Sequence, residues 1–112
     1  MTLRWSLQAR RDLDAIFDYI AEDDPAAALR WVRRLQAKAA SAVAAPTAGR
    51  VVPEVNRDDV REVFLRSYRI VYRIMKDEIV VLTVFEGRRL FPAGAADSLE
   101  GDSLEDDDDE QR

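Results

Sequence analysis

Residues 60–85, V-R-E-V-F-L-R-S-Y-R-I-V-Y-R-I-M-K-D-E-I-V-V-L-T-V-F, carry the pattern that decides the fold. The period here is two. Val60, Glu62 and Phe64 alternate with Arg61, Val63 and Leu65; Tyr68, Ile70, Tyr72 and Ile74 alternate with Arg69, Val71 and Arg73; Val80, Leu82 and Val84 alternate with Ile79, Val81, Thr83 and Phe85. Successive side chains of a strand point to opposite faces, and β-branched and aromatic residues suit a pleated, half-buried surface. The stretch therefore predicts three strands. Ser67 separates the first two, and Lys76-Asp77-Glu78 makes a polar turn before the third, which together give an antiparallel meander. Because the third strand is apolar on both faces, it is expected to run centrally with cover on each side.

Upstream of the meander the period changes to that of a helix. Leu3, Arg4 and Trp5 read as a short extended segment, and Ser6 is placed to cap the helix that follows. Ala9, Leu13, Ile16, Phe17 and Ile20 then recur on one stripe, with Arg10, Arg11, Asp14, Asp18 and Glu22 on the other side. Asp23-Asp24-Pro25 ends this helix and starts the next. Asp24 can accept from unpaired N–H groups, and Pro25 suits a first helical position, where an N–H has no partner to lose. Ala28, Trp31, Val32, Leu35, Ala39 and Val43 form the second apolar stripe, with Trp31 expected at the centre of the contact. So short a connection makes the helices an antiparallel hairpin. Pro46 closes the second helix, and Thr47 to Asp59 reads as a polar loop. The expected fold is α+β: a short N-terminal strand, an antiparallel two-helix hairpin laid on the sheet, and a three-stranded antiparallel meander completing one sheet.

Charge divides the chain in two. Asp97–Arg112 holds nine acids and one base, a net charge of -8, whereas the remainder carries 16 bases and 13 acids. The expected organisation is one domain over residues 1–94, followed by an acidic, disordered tail over 95–112. A mildly basic body fits a polyanionic or acidic partner. The run Asp106–Glu110 reads as a solubilising end that could also fold back over the row of strand arginines and mimic an acidic partner segment or nucleic acid. With no cysteine or histidine in the chain, disulfides and structural zinc are excluded, and no phosphate-binding glycine loop is present, so neither a metal nor a cofactor is expected. No apolar run approaches the ~20 residues needed to cross a bilayer. Neither a membrane association nor a leader is read from the sequence, and the expected location is cytoplasmic.

The absence of histidine removes the side chain that most readily exchanges protons near neutral pH. Arginines stand out instead. Arg61, Arg66, Arg69, Arg73, Arg88 and Arg89 lie on or just beyond the strands, and Arg61, Arg69 and Arg73 share one parity. That reading puts a positive row on the sheet face the helices leave open, where planar guanidinium forks suit phosphate or carboxylate. These six are the candidate partner-binding residues; the plain alternative is a solvated sheet face with edge-protecting charge. If the chain were catalytic, Arg61, Arg73, Glu86 and Arg88 would be the candidates. Arg30, Arg33, Arg34 and Lys38 of the second helix are positioned to extend the basic surface.

Taken in order, L-R-W-S-L-Q-A-R-R-D-L-D-A-I-F-D-Y-I, D-D-P-A-A-A, A-G-R-V-V-P-E, V-R-E-V-F-L-R-S-Y-R-I-V-Y-R-I and I-V-V-L-T-V-F-E-G-R-R resemble the RelE/ParE superfamily of bacterial type II toxin–antitoxin toxins. The resemblance runs from Leu3 to about Arg89, and its helix and Y-R-I-V-Y-R-I strand look like the ParE branch. It implies a cognate antitoxin of the ParD kind, whose acidic segment Asp106–Glu110 would mimic, a toxin–antitoxin hetero-oligomer and DNA gyrase as target. The alternatives are the RelE-like activity, cleavage of messenger RNA on the ribosome, and an inactive relative that keeps only antitoxin binding. Many relatives read H-G-R after the last strand, where this chain reads Glu86-Gly87-Arg88, an anion where RNA would approach.

Overall fold

The computed structural model describes residues 1–87. Its elements are β1 (Thr2–Trp5), α1 (Leu7–Ala21), α2 (Pro25–Ala44), a 3-10 turn (Pro46–Ala48), β2 (Arg50–Val51), β3 (Val60–Leu65), β4 (Tyr68–Ile74) and β5 (Glu78–Glu86). They form the expected α+β arrangement of hairpin and meander on one sheet, with one addition. The segment read as a loop contains the turn and β2, and β2 pairs antiparallel with β3 through Arg50 opposite Glu62 and Val51 opposite Arg61. Two residues are too short a run to show a period, so no alternation was available to reveal it. The strand order is β1-β5-β4-β3-β2, with β1 parallel to β5. The third meander strand, β5, is interior and covered on both faces as expected, lying between β1 and β4, while the middle of the five strands is β4.

Both helices start where side-chain oxygens replace missing backbone partners. The Ser6 hydroxyl accepts from Ala9 N–H at 3.1 Å and donates to the Leu82 carbonyl at 3.0 Å, so one buried group caps α1 and fastens it to β5. Asp24 accepts from Ala27 N–H at 3.1 Å, with Pro25 as the first residue of α2. Asp12 of α1 reaches across to accept from Val84 N–H at 2.9 Å and from the Thr83 hydroxyl. Trp5 is the last residue of β1 and pairs with Val81, so beyond that point Asp12 supplies the acceptor a neighbouring strand would have offered.

The main core lies between hairpin and sheet. Ala9, Leu13, Leu35 and Ala39 meet Ile70, Val81 and Val84, and Ala42, Tyr72 and Ile79 continue the layer toward the end of α2. Trp31 is only half-buried, contrary to its expected central place. Leu35 holds the middle of the α2 stripe, with Ala28, Ala39 and Ala42 on either side letting the helix sit close to the sheet, while Trp31 stands at the margin with its ring 5.8 Å from that of Tyr68. A second apolar cluster occupies the other sheet face: Val52, Val60, Val71, Val80, Leu82 and Phe85, joined by Val55 and Met75. Val52 and Val55 come from the segment after β2, so that face is covered as well.

Two register features decide which side chain meets which layer. Leu65 pairs with Tyr68 across a two-residue turn, so odd positions of β3 share a face with even positions of β4. On β5, Thr83 faces Val71 and Val81 faces Tyr72, which leaves Leu82 as an extra residue. This bulge shifts the alternation by one step and brings Val84 to the helix side with Val81, while Phe85 joins Val80 and Leu82 on the other. The uninterrupted alternation expected of residues 79–85 is corrected accordingly.

Candidate functional site

The register separates the predicted arginine row. Arg61 pairs with Tyr72 and lies on the helix side, whereas Arg69, opposite Phe64, and Arg73, opposite Val60, lie on the far side. Their shared parity failed as a guide because the two-residue turn inverts parity between β3 and β4. Arg61 works as a loop tie. Its Nε donates to Asp58 O at 2.8 Å, and its Nη1 donates to Thr47 O at 3.2 Å and Gly49 O at 3.1 Å. The Tyr72 hydroxyl, which donates to Pro46 O at 2.6 Å, holds the same turn from below. Burial raises the Tyr72 pKa against the opposing effects of Gly49 and the Arg61 charge.

Arg69 and Arg73 are engaged within the chain. Arg69 is 5% exposed; it makes a two-pronged contact with Glu54 at 2.9 and 2.8 Å, donates through Nε to Glu62 at 2.7 Å and lies over the Phe85 ring at 5.1 Å. Glu62, 1% exposed, takes its other bond from Arg50 Nε at 2.6 Å. Arg73 donates to Asp59 at 3.2 Å, and Arg57 grips the same carboxylate at 3.0 and 2.7 Å. The hydrogen bonds from Arg69 hold the Glu54 carboxyl down at about 2, and the paired acids in turn push the Arg69 pKa up. Asp59 feels burial as an upward push, but bonding to Arg57 and then Arg73 leaves it below the usual carboxylate range. Glu54, Glu62 and Asp59 are the residues sequence reading missed. A carboxylate at Glu62, on the same strand face as Val60 and Phe64, was the available signal.

The other candidates scatter. Arg66 is exposed at the tip of the β3–β4 turn with φ 55°, and Glu86, half-buried at the end of β5, accepts from the Ser67 hydroxyl at 3.4 Å. Arg88 and Arg89 lie outside the described residues, as do the expected domain boundary near Gly94 and the acidic stretch. No group of three or more acidic side chains among the described residues is arranged to hold a metal ion. No described helix is long and apolar enough to cross a membrane.

Basic charge that is not engaged in this way is, among the described residues, concentrated on α2, with Arg11, Arg66 and Lys76 exposed singly elsewhere. Among the described residues, the cationic groups of Arg30, Arg33, Arg34 and Lys38 make no ion pair or hydrogen bond, and Arg34 lies over the Trp31 ring at 5.0 Å. The cleft between the helices, about 300 Å³ and lined by Arg10, Leu13, Asp14, Phe17, Val32 and Gln36, opens on the opposite flank of α2.

A helical hairpin on a five-stranded sheet, with Arg69 and Arg73 paired to the chain's own carboxylates and a cluster of exposed basic residues on α2, defines a small α+β protein. Residues 3–91 match the family described as the ParE toxin of type II toxin–antitoxin systems, parDE. A protein of Sinorhizobium fredii (strain NBRC 101917 / NGR234) that bears a toxin name, Y4kP, is 37% identical over 92 residues, spanning 80% of this chain and 92% of its own length. A solved structure described as the chromosomal ParDE TA system from P. aeruginosa superposes with a TM-score of 0.65 at 27% identity, covering 77% of this chain and 95% of the other. The chain belongs to the ParE toxin family of type II toxin–antitoxin systems.

Proposed function

We propose that this ParE-family toxin acts by binding, with DNA gyrase in the cytoplasm as its target, and that a cognate ParD-like antitoxin neutralises it in a toxin–antitoxin hetero-oligomer. The observation that carries the binding reading is the pairing of Arg69 and Arg73 with Glu54, Glu62 and Asp59. A guanidinium already held by a carboxylate is poorly placed to stabilise the charge that develops on a phosphate in a cleavage reaction. The chain also lacks histidine, and Glu86 would repel RNA at the end of β5. Gyrase as the target, and the antitoxin as the partner, rest on family membership and on the ParDE description of the structural relative. Arg66, with Arg88 and Arg89 beyond the described residues, remain the sheet-end candidates for partner contact.

The test is direct. Purified toxin should inhibit supercoiling by gyrase or raise gyrase-dependent DNA cleavage, and added antitoxin should reverse the effect. Unaffected gyrase at micromolar toxin would refute the target. New messenger ends on translating ribosomes, mapped by toeprinting, would favour the RelE-like reaction instead.

A further inference from the structure

Charge is unevenly distributed over the hairpin. Between Pro25 and Ala44, α2 contains Arg30, Arg33, Arg34 and Lys38 and no acid. Arg30, Arg34 and Lys38 recur every fourth residue, so they form a row along one flank with steps of about 6 Å. That spacing suits successive carboxylates on one side of an extended peptide, which repeat at about 6.6 Å. The second half of α1 and the connecting turn have the opposite character, with Asp14, Asp18, Glu22 and Asp23 all exposed and the helix's basic residues, Arg10 and Arg11, confined to its first turns. An acidic segment is repelled from the C-terminal half of α1 and attracted to α2. The sheet offers it little, because Arg69 and Arg73 on the far face are already paired.

The described chain ends beside this row. Gly87 N–H donates to Ser67 O, Glu86 pairs with Tyr68, the Tyr68 ring is 5.8 Å from Trp31, and Arg34 lies over Trp31. The first residue of the net -8 stretch, Asp97, follows Gly87 by ten positions. An intervening run of that length spans at most about 33–36 Å, slightly more than the ~30 Å length of a 20-residue helix. We propose that the α2 row is the docking site for this chain's own acidic stretch, Asp97–Arg112, held by charge rather than by shape. Tethering keeps the acids at roughly millimolar local concentration, so an acidic partner that uses α2 must first displace them. The inference concerns the chain alone and does not depend on gyrase being the target.

Absence of cysteine makes the test clean, because Ser103→Cys in the full chain provides a unique attachment point for a nitroxide. In dilute salt the backbone amide signals of Arg30 to Lys38 should lose intensity relative to the reduced label, and lose more than those of β2 and the start of β3. The loss should disappear near 1 M salt, where the screening length falls to about 3 Å. It should also disappear when Arg30 and Arg34 are changed to Gln, or when Asp106–Asp109 are changed to Asn, a change outside the folded elements described. Undiminished α2 signals in dilute salt would overturn the proposal, as would loss spread evenly over the molecule. Loss arising only when a labelled chain is mixed with an isotope-enriched, unlabelled one would assign the contact to a second copy and overturn it equally.

Discussion

Glu62 and Arg69 meet diagonally across neighbouring strands, almost wholly out of water. A buried ion pair gives little net stability against well-packed apolar residues, but removing one partner strands the other charge. Arg69→Met should therefore cost about 3–5 kcal/mol in urea denaturation, and Glu62→Leu with Arg69→Met should recover much of that loss. Hydrogen bonds from Arg69 lower the Glu54 pKa from the ordinary 4.5 to about 2, so its contribution is full above about 4.5 and is lost as pH falls toward 2. Thermal melts from pH 6 to pH 2 should show that decline, and Glu54→Gln should weaken it while lowering stability at neutral pH. Arg66 adopts φ 55°, a left-handed conformation that glycine takes at no steric cost. Arg66→Gly should raise stability by roughly 0.5–1 kcal/mol; an unchanged or lower denaturation midpoint would mean that the side chain has a stabilising contact of its own.

At the scale of elements, α2 was recognised correctly in span and capping but not in its centre of packing. Leu35 is fully buried whereas Trp31 stands at the margin, so truncation should rank them against their sizes. Leu35→Ala should cost about 2–5 kcal/mol, and Trp31→Ala less than the ~3–5 kcal/mol of a buried tryptophan. Equal or reversed losses in urea would place the indole deeper than the structure does. The strands were legible for the same reason as the helices, since their period follows from backbone geometry. Their facing was not. A two-residue turn between Leu65 and Tyr68 moved Arg61 away from Arg69, and the Leu82 bulge moved Val84 to the helix side. Both depend on pairing between strands, which no single strand encodes.

Over the whole molecule, the distinction between engaged and accessible charge separates two groups of arginines that look alike in sequence. Changing Arg30 and Arg34 together to Gln should leave stability within about 0.5 kcal/mol of the parent, as expected of surface positions, in contrast to Arg69→Met. A denaturation midpoint shifted as far by the α2 changes would show that their charges support the fold. The sequence by itself determined the order of β1, the two helices and the three meander strands, both helix caps and the interior place of β5, because these follow from local periodicity and chain order, and its motifs from Leu3 to Arg89 carried the resemblance to ParE toxins. Only the tertiary structure decided which charges are accessible. Glu54 and Glu62 reach Arg69, and Asp59 reaches Arg73, from positions 7 to 15 residues away in the chain, and whether a cation meets a carboxylate or solvent is settled by distance in space.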